Sequence, residues 1–406
     1  MTSAKLLKDF DVEKHLDSLY AKIGKMPSKR TQNSFDFDIG TLGQAYTAAA
    51  LMEIDAERPW RSLFEMKTRE LFRYLGNAAY PHPGLLGGLS GLALLLRESK
   101  SDEADYANAL TKLDNRLLMH GESMKKSLLT SIGANRFDYD YGIGLSGLVH
   151  YFSLEEDPSD QTSSFIDSAC RTLEKLILQE GLWTSPADLY DEIFHQEPQA
   201  ALGILDLGQA HGILGVTGVL AETIGVSEGV LHVQDFFRRL SEGMLISGIP
   251  YYLVGKTCVE TDNDILSFDV PCGPVARNGW CYGLPMLEVL TTIWGLDFGD
   301  VFTSEFATDS MITPEIGGFD NPGLCHGIAG RIALNSIIGK PIPGEWLKHA
   351  LSILEHDTKQ GSDGSKSTAG FWDGSWGLIV VLTALSLKHP MPALFSVLGV
   401  RKNDRV

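Results

Sequence analysis

Apolar positions along this chain fall into two alternating kinds of run. In the first kind nearly every position is apolar. It appears as GTLGQAYTAAALM from Gly40, GLSGLALLL from Gly88, GLSGLVHYF from Gly144 and GILGVTGVL from Gly212, then as GLPMLEVLTTIW from Gly283, GIAGRIAL from Gly327 and GSWGLIVVLTAL from Gly374. A helix apolar on every face is buried all round. In the second kind, such as EIDAERPWRSLFEMKTRELFRYL and ADYANALTKLDNRLLMHGESMKKSLL, apolar residues recur about every 3.6 positions, which marks a helix with one face to water. The seven opening glycines stand 48, 56, 68, 71, 44 and 47 residues apart, room for two helices in each unit. The pattern predicts an all-α chain: a closed α/α toroid of seven helix-pair repeats, with inner and outer seven-helix layers, formed by residues 1–406 as one domain. An open solenoid would need polar capping repeats at its ends, and the sequence shows none. Closure gathers the glycine turns at one end of the ring, where a site can be built.

The two wide intervals leave space for an insertion between Gly144 and Gly283. The stretch Gly248 to Val270 has alternating and β-branched residues that read as strand, and Gly181 to Gln199 is irregular and aromatic. A small β-containing insertion is expected within about 155–275.

Composition narrows the function. With 34 basic against 52 acidic residues the formal charge is −18, which excludes a protein built to hold nucleic acid, since that needs concentrated Lys and Arg. Apolar residues at 44% and charged residues at 21% suit a large core. The N-terminal MTSAKLLKDFDVEKHLDSLY has no uninterrupted apolar stretch and is not a secretory signal. The uncharged run Tyr74 to Leu96 is broken by glycines and prolines and is not expected to span a bilayer. Cys170, Cys258, Cys272, Cys281 and Cys325 are too scattered for a disulfide framework. A soluble, cytoplasmic protein is expected.

The candidate chemistry lies in the turns. Asn278-Gly279-Trp280-Cys281-Tyr282-Gly283 aligns without a gap on Pro322-Gly323-Leu324-Cys325-His326-Gly327. Cys281 and Cys325 thus hold the same register in successive repeats, and His326 follows the second. Two thiolates and an imidazole make a zinc set with a fourth position open. The ordinary reading of such cysteines is burial in the core; shared register, flanking glycines and the adjacent His favour the metal. His211, in Ala210-His211-Gly212, is the counterpart of His326 and Tyr282. Asp138 and Asp140 precede Gly144, where acidic residues commonly cap a helix, the reading kept for Asp138. Arg277 stands four residues before Cys281, as a surface charge or a partner for an anion.

These segments, with Tyr139-Asp140-Tyr141-Gly142-Ile143-Gly144-Leu145-Ser146-Gly147, resemble the lanthionine synthetase C family, the lantibiotic cyclases, and the likeness runs over all seven repeats. It implies an α-toroid with a small inserted domain and one Zn2+ per chain on Cys281, Cys325 and His326, with water or a substrate thiolate in the fourth position. It implies a reaction in which a peptide Cys thiolate adds to dehydroalanine or dehydrobutyrine, closing a lanthionine or methyllanthionine ring. His211 would donate a proton to the enolate carbon or take the thiol proton. Asp140 would orient that imidazole, Arg277 would steady Asp140 or the oxyanion, and Tyr282 and Trp280 would shape the substrate pocket. The implied partners are a dehydrated precursor peptide (leader plus core), a lantibiotic dehydratase and an ABC transporter, in an assembly at the inner face of the cell membrane. The length resembles a stand-alone cyclase. Met286 and Trp376 depart from the repeat, each standing where a small residue is usual. Rival readings are a relative that adds glutathione to dehydrated residues, a zinc prenyltransferase-like toroid, and a toroid that only holds a thiol or peptide.

Overall fold

The computed structural model describes residues 3–8, 10–26, 35–75, 82–99, 104–130, 134–180, 182–186, 203–243, 249–254, 279–299, 321–360 and 369–400. Its helices are α1 (Ser3–Lys8), α2 (Val12–Lys25), α3 (Thr41–Ile54), α4 (Trp60–Leu75), α5 (Leu89–Glu98), α6 (Ala104–Thr130), α7 (Arg136–Tyr139), α8 (Leu145–Ser153) and α9 (Asp160–Glu180). They continue with α10 (Ile213–Ile224), α11 (Glu228–Gly243), α12 (Leu284–Trp294), α13 (Ile328–Ile337), α14 (Gly344–Gln360) and α15 (Ser375–Ser386), and a 3-10 helix covers Ala393–Leu398. Among the described residues one antiparallel sheet forms, from β1 (Ile204–Asp206) and β2 (Tyr252–Val254), with Ile204 opposite Val254 and Asp206 opposite Tyr252. Both strands fall within the interval 155–275. Most of Gly181 to Gln199 and of Gly248 to Val270 lies outside the described residues, as does any helix between α12 and α13.

Each of the seven glycines is the N-cap of a helix: Gly40 of α3, Gly88 of α5, Gly144 of α8, Gly212 of α10, Gly283 of α12, Gly327 of α13 and Gly374 of α15. These helices are buried on all faces, as their uniform apolarity demands; in α15 every residue from Trp376 to Ala384 is buried. The helices between them bury a stripe. In α4 that stripe is Trp60, Leu63, Phe64, Lys67, Thr68 and Leu71, at helical spacing.

The chain forms two compact units. One comprises Met1–His82, Gly87–Leu110 and Gly317–Val406. In it α5, α3, α15 and α13 are successive neighbours, with α4 against α3 and α14 against α13. The last inner helix, α15, packs against α1 and α2 from the N-terminal segment. The other unit comprises Pro83–Leu86 and Thr111–Ile316. Here α8, α10 and α12 follow one another, with α9 and α11 packed against them. A buried pair, His150 Nδ1 and Glu222 Oε2 at 2.8 Å, joins α8 to α10.

The second small residue of the repeat has a steric cause. The N–H groups of Gly147, Gly215 and Gly330 donate back to the carbonyls of Asp140, Gly208 and Gly323. That return path lays the next carbonyl against the glycine, so a Cβ at Gly147, Gly215 or Gly330 would overlap the oxygen of Tyr141, Gln209 or Leu324. Met286 occupies this place in the fifth repeat and is buried. Its turn takes another route: Gly283 adopts φ +90, whereas the other six cap glycines have φ between −65 and −127. Only glycine enters that region without strain, so the Met is accommodated by its own cap. Trp376 is also buried; it stands one place earlier, and Gly377 keeps the close approach to Phe371 O.

Candidate active site

The turns before the cap glycines are joined by main-chain hydrogen bonds. In the second unit Leu86 N–H donates to Gly142 O (2.9 Å), Gly142 N–H to Ala210 O (2.8 Å), and Gln209 and Ala210 N–H to Cys281 O (2.7 and 3.3 Å). In the first unit Leu324 and Cys325 N–H donate to Trp372 O (2.6 and 3.1 Å), and Phe371 N–H donates to Asp38 O (3.0 Å). Leu86, Gly142, Ala210, Cys281, Cys325, Trp372 and Asp38 all hold one register, two residues before the cap glycine. Side chains at this register therefore hang from a backbone whose polar groups are already paired, which fixes their positions.

Cys281 and Cys325 are buried cysteines that form no disulfide. Cys325 and His326 are adjacent in the first unit, Cys281 holds the matching register in the second, and each offers one ligand atom. The set could hold a metal, and its chemistry, two sulfurs with one imidazole, suits zinc. The Asp373 carboxylate lies 3.0 Å from His326 Nδ1. Cys170 is a contrast: it is buried on α9 and burial first, then Asp167 and Glu174, pushes its thiol up to about 12. Such a thiol is inert.

His211 and Asp140 meet in the second unit. Asp140 is fully buried, and its Oδ1 accepts the N–H groups of Ile143 (2.5 Å) and Gly144 (2.9 Å) in the turn before α8. Its Oδ2 lies 2.7 Å from His211 Nδ1. One carboxylate thus ties the turn together and holds an imidazole, which leaves His211 Nε2 as the free ring nitrogen. The His211 side chain is 30% exposed. Burial lowers its pKa, but the hydrogen bond and charge of Asp140, with the charge of Asp206, outweigh it, and the net shift is upward. Asp138 does not cap α8: its carboxylate accepts from the Ser127 hydroxyl (2.6 Å), and Asn135 caps α7.

Tyr282 donates its hydroxyl to Asp206 Oδ2 at 2.8 Å, and Tyr251 packs edge-on against its ring at 4.7 Å. Trp280 is fully buried and packs against Tyr141 at 5.9 Å, below the turn. Arg277 lies outside the described residues.

Asp206 was not among the residues singled out from the sequence. It ends β1, is buried, and carries a carboxyl raised by that burial against the opposing charge of His211. A signal existed: it stands six residues before Gly212, as Asn321 stands before Gly327, and each accepts the N–H two residues on, Gly208 (2.8 Å) and Gly323 (2.6 Å).

A family model described as lanthionine synthetase C-like protein matches residues 31–396. The nisin biosynthesis protein NisC of Lactococcus lactis subsp. lactis is 24% identical over 400 residues, covering 92% of this chain and 91% of that protein. A solved structure of nisin cyclase is similar with a TM-score of 0.69 at 18% identity, over 97% of this chain and 98% of that one. The fold is thus the all-α toroid that the repeats predict. No helix among the described residues is long and apolar enough to cross a membrane.

Proposed function

Because this chain belongs to the lanthionine synthetase C-like family and is an enzyme of the lanthionine cyclase kind, we propose that it closes thioether rings in a dehydrated precursor peptide, with one zinc held by Cys281, Cys325 and His326. The observation that carries the reading is the Cys281, Cys325 and His326 group itself, drawn from matching turns and chemically matched to zinc. When bound, the metal supplies the positive charge that keeps an incoming peptide thiol ionised near neutral pH, far below its ordinary pKa of about 8.5.

The chain's own residues do the rest. Addition of sulfur to the dehydroalanine or dehydrobutyrine alkene leaves an enolate that needs a proton on carbon. His211, its Nδ1 engaged by Asp140 and its pKa raised, holds a proton available at Nε2. Asp140 has no freedom to follow substrate, because the turn N–H groups of Ile143 and Gly144 pin its other oxygen; it sets the tautomer and plane of the ring and stabilises the imidazolium. Tyr282 borders the same turn as Cys281 and forms part of the pocket wall. Arg277 is proposed to steady Asp140 or the developing oxyanion, and Trp280 to support the wall from below.

Metal analysis of the purified protein is expected to find one zinc per chain, lost in Cys281→Ala and in Cys325→Ala. His211→Ala is expected to keep zinc and to slow ring closure on dehydrated peptide by about a hundredfold or more, read by thiol blocking and mass spectrometry. Zinc-free wild type that still closes rings would remove the metal from the reading. Full cyclisation by His211→Ala would remove the proton donor.

A further inference from the structure

The mechanism above uses one buried carboxylate, Asp140. A second, Asp206, is 2% exposed and sits at the end of β1 rather than in a glycine turn. Both its oxygens are engaged. Oδ1 accepts the Gly208 N–H at 2.8 Å, and Oδ2 accepts the Tyr282 hydroxyl at 2.8 Å. Burying a carboxylate costs free energy unless its lone pairs are matched, and here half of the matching comes from a residue adjacent to the proposed ligand Cys281.

The surroundings are built around that contact. Gly208 lies against the Tyr282 ring so closely that a Cβ there would collide with it and with Cys281 O. Tyr251 packs edge-on against the same ring, and Leu207 N–H donates to Tyr251 O at 3.0 Å, tying the two strand ends together. The sheet thus brings three groups to one side chain: a carboxylate for the hydroxyl, a glycine for clearance and an aromatic edge for the ring.

We propose that Asp206 is a positioning residue for ring closure: it commits the Tyr282 hydroxyl proton to a buried carboxylate and so locks the ring beside Cys281 as a fixed wall against which the peptide thiol and alkene align. Tyr282 then acts by shape and place, and the proton that finishes the reaction comes from elsewhere. The proposal rests on the cyclase reading, and its test separates the two.

The test uses the full zinc-loaded chain. Asp206→Asn and Tyr282→Phe are each expected to keep one zinc and to lower kcat about tenfold or more, with KM for dehydrated peptide changed less than about twofold. The double variant is expected to be no slower than either single one, since both remove the same contact. Multiplying losses in the double variant would overturn the proposal. Selective tyrosine labelling and NMR give a reading that needs neither variant nor activity: the Tyr282 hydroxyl proton is expected to exchange slowly with water, and a rapidly exchanging one overturns the proposal even if Asp206→Asn does not fold. Absence of ring closure by wild type with a protected hydroxyl would sink the cyclase reading alone. Ring closure with an unprotected hydroxyl would sink the positioning role alone.

Discussion

His211 concentrates the chemistry at the residue scale. Its imidazole keeps its proton to higher pH than a free one because Asp140 is bonded to Nδ1 and Asp206 adds charge, against the opposing effect of burial. As the proposed proton donor it must be charged, so kcat for ring closure is expected to fall on the alkaline side as it deprotonates. Asp140→Asn is expected to move that limb to lower pH, and a limb that stays in place would detach Asp140 from His211. Stability follows the same sign. A raised folded-state pKa adds stability that is complete below the unfolded value of about 6.5 and is lost as pH rises through the folded value. Denaturant melts of wild type and His211→Ala are therefore expected to differ more at pH 6 than at pH 9. The His211 side chain is partly exposed, so solvent screening keeps this difference small.

At the scale of elements, the repeat is a steric device before it is a pattern. Two glycines in α10 separate its causes. A Cβ at Gly215 would overlap Gln209 O, whereas one at Gly218 would meet only ordinary contacts at 3.8 Å and beyond. Gly215→Ala is expected to cost about 1–3 kcal/mol through overpacking. Gly218→Ala, mid-helix, is expected to gain about 0.5–1 kcal/mol from propensity. Chemical denaturation of the two variants checks both, and equal effects would contradict the steric account. The sequence already showed paired glycines and close approach, and it placed both cysteines in one register. It could not show that Met286 is tolerated through a reversed φ at Gly283, because backbone angles leave no trace in residue type beyond the glycine itself. Asp206 stayed hidden for a related reason: a three-residue strand is too short for periodicity to reveal, and an Asp there reads as an ordinary turn residue.

At the scale of the molecule, the first and last repeats are joined within one compact unit. Asp38 accepts from Phe371 N–H through its carbonyl and from Trp372 and Asp373 N–H through one carboxylate oxygen (3.1 and 2.9 Å), and α1 and α2 pack against α15. The seven glycine starts foretold seven helices; that the N-terminal segment packs against the last of them rests on long-range packing that no local pattern records. Burial first, then the charges of Asp373 and Asp36, raises the Asp38 carboxyl to about 6 against the two N–H bonds. Its folded value exceeds the unfolded one of about 3.9, so ionisation lowers stability as pH rises from about 4 to about 6. Asp38→Asn keeps an oxygen acceptor without the charge. It is expected to melt above wild type at pH 8, with the gap closing by pH 4, while Asp38→Ala, lacking the acceptor, is expected to melt below Asp38→Asn at both.

The hydrogen bonds that link successive turns run through main-chain groups, so the side chains at that register are passengers on a seat the backbone has already set. Leucine, glycine, alanine, cysteine, tryptophan and aspartate all occupy it in this one molecule. A scaffold of this kind can trade chemistry between turns without rebuilding itself. The exchange has a boundary at Gly142, where a Cβ would already press on the His211 ring and on Leu86, so a new functional group is better lodged at Leu86 or Ala210.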